Sequence, residues 1–160
     1  MAERGRPRSF DRAEALRRAM EVFWAKGYDG ASLAELTAAM GINAPSLYAA
    51  FGSKEALFRE AVVLYGDTEG GGIWTVIPAA ATARSAFEQF LRASAEAFTR
   101  RDRPAGCLVV LGALNANDKN AAACDELREL RVGNVATLEA RLKRAIREGE
   151  LPRDVDCRAV

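Results

Sequence analysis

Histidine is absent from the 160-residue sequence. That removes the commonest general base and the commonest metal ligand, and leaves only carboxylates and thiols for such chemistry. Cysteine is nearly as rare. Cys107, Cys124 and Cys157 are an odd number at spacings that match neither a disulfide framework nor a zinc site, which fits a reducing cytoplasm. Long apolar runs are missing too. The longest, from Cys107 to Leu114, is far short of the roughly 20 residues that span a bilayer. The arginine-rich start leads into an amphipathic segment, not the apolar stretch of a secretory signal. A charge excess is also lacking: the net charge is +1. Any affinity for nucleic acid must therefore come from local placement of charge.

What is present is helix-forming. Alanine is abundant and only five prolines interrupt the chain. With 49% hydrophobic and 28% charged residues, the composition is that of a folded domain, not a disordered segment. The arginines concentrate at the N-terminus, where Arg4, Arg6, Arg8, Arg12, Arg17 and Arg18 face only Glu3, Asp11 and Glu14. Residues 1–8 read as a basic arm that either contacts DNA or is simply solvated.

Four helices are expected next. Asp11 and Glu14 have capping-box spacing, and Leu16, Ala19, Met20 and Phe23 line one face up to a stop at Gly27. Ser32 and Glu35 form a second box, ahead of Leu33, Leu36 and Met40. Gly41 ends this second helix after two turns. Asn43 and Pro45 start a third helix, in which Leu47 and Phe51 face inward and which Gly52 ends. Ser53 caps a fourth, with Ala56, Leu57, Ala61, Val62 and Leu64 apolar. The glycine-rich stretch from Gly66 to Ala83 reads as a loop or linker. Beyond it three more helices are expected, over about Ala83–Arg100, Pro104–Ala116 and Ala121–Glu148. The middle one is apolar nearly all round and therefore expected to be buried. Gly133, inside the last, marks either close packing or a kink. The expected fold is all-α: a helix-turn-helix domain over 9–69, with the motif at 32–51, then a helical regulatory domain over 70–160.

Two short helices joined by a tight glycine turn must cross steeply, and Leu36, Met40, Ile42, Leu47 and Phe51 can lock that crossing against the first helix. The outer side of the third helix is then free to enter a major groove. The run Gly27-Tyr28-Asp29-Gly30-Ala31-Ser32-Leu33, followed by Met40-Gly41-Ile42-Asn43-Ala44-Pro45-Ser46-Leu47-Tyr48-Ala49-Ala50-Phe51-Gly52-Ser53-Lys54-Glu55-Ala56-Leu57, resembles the DNA-binding domain of the Tet-repressor (TetR/AcrR) family. The resemblance covers roughly Ser9 to Glu69. It implies a dimeric repressor on a palindromic double-stranded operator, released by a small-molecule effector in the C-terminal domain; the apolar residues of that domain point to an apolar effector, and no cofactor and no membrane are expected.

Position by position, the resemblance places Ser32 and Thr37 on the DNA backbone. It places Asn43, Ala44, Pro45 and Ser46 at bases or backbone, and Tyr48 and Lys54 on phosphates. The third helix carries no Arg, Lys, Gln or Glu, so base reading is expected to lean on thymine methyls, through Ala44, Pro45 or Ala49, and on DNA shape. Arg6 of the arm is expected to add a contact.

Phe87, Leu91, Ser94, Phe98, Cys107, Leu111, Leu114, Leu130, Asn134 and Leu138 either wall an effector cavity or form solid core. Trp74 is a lid or a packing anchor. Cys107 and Cys124 are expected to be small buried hydrophobes, not sensors. In the resembling family the last two helices form the dimer. The sequence stops at Val160, so those helices are expected to be missing from it, yet a homodimer is still expected because one half-site gives little affinity. An enzyme lacks a nucleophile–base pair or cofactor loop here. A protein-interaction module is the stronger rival.

Overall fold

A computed structural model describes residues 10–114 and 120–159. Arg4, Arg6 and Arg8 of the expected basic arm lie outside the described residues, as does Asn115 of the C-terminal half. The described chain is helical, and no strand occurs in it. None of its helices is long and apolar enough to cross a membrane.

Helix α1 spans Arg12–Gly30. Its Asp11 cap accepts the Ala13 and Glu14 N–H groups at 2.9 and 3.2 Å. The expected reciprocal bond from Glu14 does not form, because that carboxylate is taken by Arg17 and Arg18, which hold its pKa at about 2. The regular helix breaks at Gly27, whose φ of +71° is costly for any residue with a Cβ. One further turn runs to Gly30. Helix α2, Leu33–Met40, opens on a complete Ser32–Glu35 capping box. Gly41, at φ +68°, makes the turn, and helix α3, Ala44–Phe51, starts where Asn43 accepts the Ser46 N–H at 2.9 Å. Helix α4, Lys54–Tyr65, starts on Ser53.

These four helices close on one core. Phe23 and Phe58 are fully buried and meet edge to face at 5.0 Å. Leu36, Leu47 and Leu57 are equally buried beside them, and Trp24 meets Tyr65 at 4.8 Å. Each such aromatic pair adds about 0.5–1.5 kcal/mol beyond its buried area.

The glycine-rich stretch is not a free linker. It coils through a π-turn at Gly66–Gly70, a 3-10 turn at Gly72–Trp74 and helix α5, Val76–Ala79. Gly70 packs so tightly on the Tyr65 ring that a Cβ there would overlap it. Helix α6, Ala83–Phe98, is capped by Thr82.

The expected buried helix over Pro104–Ala116 is a single turn, α7, Leu108–Leu111. Backbone carbonyls on either side of it are claimed from outside: that of Gly106 accepts Trp24 Nε1–H at 3.0 Å and that of Gly112 accepts the Tyr28 N–H at 2.7 Å. Leu108 is buried, but Val110, Leu111 and Leu114 are exposed, so the expectation of all-round burial fails. Helix α8, Ala121–Glu148, runs straight through Gly133, whose side-chain position faces open space; neither close packing nor a break marks it. Leu108, Cys124 and Leu127 join the N-terminal core, while Ile77, Ala80 and Ala86 form a small second cluster with Phe90 and Leu138.

Candidate nucleic-acid interface and effector cavity

Helix α3 shows two unlike faces. Leu47 and Phe51 are buried, which fixes the helix against α2 and α4. Ala44, Pro45 and Ala49 are exposed, and Tyr48 is 45% exposed with its ring facing outward. Ser46 is half-buried. The Asn43 carbonyl is used as the cap, which leaves its amide N–H groups free of that bond. On α2, Ser32 Oγ donates to Glu35 at 2.8 Å and Thr37 Oγ1 donates to the Leu33 carbonyl at 2.8 Å. Both hydroxyl protons are therefore already engaged within the chain. Arg6 lies outside the described residues.

Lys54 is the first residue of α4, where backbone N–H groups and the helix dipole favour an anion. Its ammonium rests 4.4 Å from the centre of the Tyr28 ring, a cation–π contact. Partial burial lowers its pKa, and nearby Asp29 works the other way. Lys26, at the end of α1, is ion-paired with Glu35. Sequence reasoning did not single out Tyr28 as the seat of Lys54. Its only signal was an aromatic beside a glycine stop.

A cavity of about 570 Å³ lies between α4, the turns that follow it, α7 and α8. Of the residues expected to wall an effector site, Cys107, Leu130 and Asn134 line it, and Trp74 does so as well. The others do not. Leu91, Leu111 and Leu114 are 63, 44 and 66% exposed. Phe87, Ser94 and Phe98 are half-buried on α6, away from the cavity. Leu138 packs on the Ile77 cluster. The Phe90 ring of α6 meets Trp74 at 4.7 Å, which makes Trp74 both a wall and a packing anchor.

Val62, Val63 and Asp67, together with Glu126 and Glu129, were missed as lining residues. The run Ala61-Val62-Val63-Leu64 was the available signal, since four consecutive apolar residues cannot all face one core. Cys124 is buried as expected, but Cys107 is only half-buried. Burial and a hydrogen bond with the Cys107 thiol raise the pKa of Tyr65. A larger groove of about 670 Å³ runs along α1, but its charged walls, Glu14 and Arg17 among them, are already paired with one another.

A fixed helix-turn-helix with an uncovered second helix, joined to a helical domain that holds a cavity, defines a DNA-binding transcription regulator. The comparisons agree. Residues 15–61 match the model of bacterial regulatory proteins, tetR family. Residues 83–160 match the Tetracyclin repressor-like, C-terminal domain. The HTH-type transcriptional repressor ComR of Escherichia coli (strain K12) is 34% identical over 154 residues, covering 96% of this chain and 73% of ComR. The HTH-type transcriptional repressor BdcR of the same organism is 36% identical over 117 residues, covering 73% of this chain and 59% of BdcR. Among solved structures, a cysteine mutant of the TetR family transcriptional regulator CifR, complexed with 26bp double-strand operator DNA and apo-CifR, superposes with a TM-score of 0.90. It is 47% identical, and the match covers 96% of this chain and 81% of that one. The chain belongs to the TetR family of bacterial regulatory proteins.

Proposed function

We propose that the protein is a cytoplasmic repressor that binds a palindromic double-stranded operator as a homodimer and leaves it when a small molecule occupies the cavity between α4 and α8. It acts by binding, without turnover. The observation that carries this reading is the uncovered outer face of α3 on a fully buried inner face. In support, CifR structures hold operator DNA, and ComR and BdcR are named as repressors.

Tyr48 and Lys54 bind phosphates, assisted by Ser32 and Thr37, and set the register. Asn43 and Ser46 then face base edges, while Ala44, Pro45 and Ala49 meet thymine methyls. A ligand reaches this surface along two routes. Val62 and Val63 of the cavity wall sit on α4, the helix that Lys54 begins. Cys107 and Val109 sit on the segment whose Gly112 carbonyl holds the Tyr28 N–H, and the Tyr28 ring holds Lys54. A ligand that favours the DNA-incompetent arrangement weakens operator affinity by that difference, and by no more.

The test is selection of bound duplexes from a random pool at moderate salt. The expected result is a palindromic site with half-sites about one helical turn, or a multiple of it, apart. Recovery of no enriched sequence overturns the reading.

A further inference from the structure

We propose that the cavity between α4 and α8 takes an amphiphilic organic cation, its apolar body against Trp74, Val62, Val63 and Leu130 and its positive centre between Glu126, Glu129 and Asp67. This rests on the reading of that cavity as the effector site.

The walls carry charge of one sign only. Asp67 comes from the π-turn after α4, and Glu126 and Glu129 come from one side of α8, while among the described residues no Lys or Arg lines the space. A cavity for a carboxylate or phosphate is expected to hold a basic side chain among its walls; here Asn134 and Trp74 supply neutral donors, and the charged walls are all carboxylates. Glu126 is the informative one. Its Oε2 is shut off from solvent and accepts no hydrogen bond. The nearest cation, Arg59 Nε, stands 3.4 Å away, and the Arg59 side chain is 55% exposed and already bonded to Glu55 at 2.7 Å. Arg131, further along α8, donates to the Val109 carbonyl at 2.8 Å and is not among the lining residues. Burial raises the Glu126 pKa, Arg59 opposes the rise, and the neighbouring Glu129 and Glu55 charges add to it, so a cation beside these carboxylates favours the charged form of Glu126. Trp74 adds an aromatic face, which attracts a desolvated cation and lies flat on an apolar ring alike.

Tetraphenylphosphonium and tetraphenylborate have the same shape and opposite charge, so apolar contact favours them equally and their affinity ratio reads the charge of the site. Triphenylphosphine oxide is the neutral control. Binding to the full chain is followed by calorimetry and by quenching of tryptophan fluorescence. The phosphonium is expected to bind at least tenfold more tightly than the borate. Glu126→Gln is expected to cut that preference several-fold and Trp74→Phe to reduce the quenching. Glu129→Gln, at an exposed position, is expected to reduce the preference without affecting folding. Equal binding of the two ions, or preference for the borate, overturns the cationic assignment but leaves the cavity as an effector site. Binding of none of the three probes, with operator affinity unmoved by any of them, overturns the assignment together with the effector-site reading.

Discussion

Helices α1 to α4 each begin at a side chain that accepts a backbone N–H, from Asp11, Ser32, Asn43 and Ser53. Of the later helices, α6 has such a cap, at Thr82, whereas α5, α7 and α8 begin without one. The same division appears in the packing. Apart from Tyr48 and Val63, which are exposed, the N-terminal half packs its large apolar residues in one cluster. The C-terminal half leaves Leu91, Val132 and Val135 about 60% exposed and divides its core between a share in that cluster and a small patch around Ile77. A surface that must match a groove to within an ångström needs helices fixed before DNA arrives. The segment around α7, one turn long, is tied to α1 through the flanking Gly106 and Gly112 carbonyls.

The largest expected effect tests that difference directly. Phe58→Ala, at a fully buried ring in contact with Phe23 and Tyr28, should cost about 3–5 kcal/mol in urea unfolding. Val135→Ala, at a site 59% exposed, should stay within about 0.5 kcal/mol. Similar losses from both would show that the two halves share one stability and end the comparison.

Gly27 joins the halves. Its φ is +71°, and a Cβ there would stand 3.1 Å from the Gly112 carbonyl oxygen. Gly27→Ala should therefore destabilise by about 1–2 kcal/mol through the left-handed conformation, with added strain at α7. A cost no greater than that of an exposed helix substitution would mean that the junction is loose.

Within the reading half, Lys54→Ala should weaken binding to operator and random duplexes alike, by about tenfold, and lower the slope of log affinity on log salt by about 1. Tyr48→Phe should act the same way through its lost hydroxyl, without the change in slope. Ser46→Ala should instead alter the ranking of operators. Anisotropy titrations at several salt concentrations separate the three. A Lys54→Ala protein with altered sequence preference and unchanged overall affinity would remove Lys54 from the phosphate contacts.

The two halves also differed in how far they could be read from sequence. The caps at Ser32, Asn43 and Ser53 and the turn at Gly41 are set by residues within three or four positions, so local pattern was enough to place them. The reading failed locally only where a second partner competed, as when Arg17 and Arg18 took Glu14 from the cap. In the C-terminal half the deciding contacts are distant. Trp24 and Gly106 are 82 residues apart, and no apolar periodicity near Gly106 reveals that its carbonyl is claimed. A helix over Pro104–Ala116 was therefore expected where one turn forms. The cavity proposed for the effector was read only in part: counting apolar residues found Cys107 and Leu130 but also pointed to α6, whereas further walls come from the second face of α4 and from carboxylates on α8.

The smallest expected effect sets one carboxylate in each half against the other. Glu35 is held at a pKa of about 2, first by Lys26 and then by Ser32, against an ordinary 4.5. A lowered carboxyl contributes stability that is complete above its unfolded value and is lost as pH falls through the folded one. Glu126 is raised above the same ordinary value, mainly by burial, so its ionisation costs stability that returns on acidification. Relative to the parent, Glu35→Gln should be least stable above roughly pH 5 and should recover as pH falls from there toward 2. Glu126→Gln should show the opposite slope, gaining on the parent as pH rises through and beyond the ordinary carboxylate range. Glu35 is exposed to solvent, so added salt should shrink its difference, while that of the partly enclosed Glu126 should persist. Urea midpoints between pH 3 and 7 at two salt concentrations measure both. Slopes of the same sign would mean that Glu126 is already neutralised by Arg59, and the contrast between a satisfied reading surface and an unsatisfied cavity would not hold at that residue.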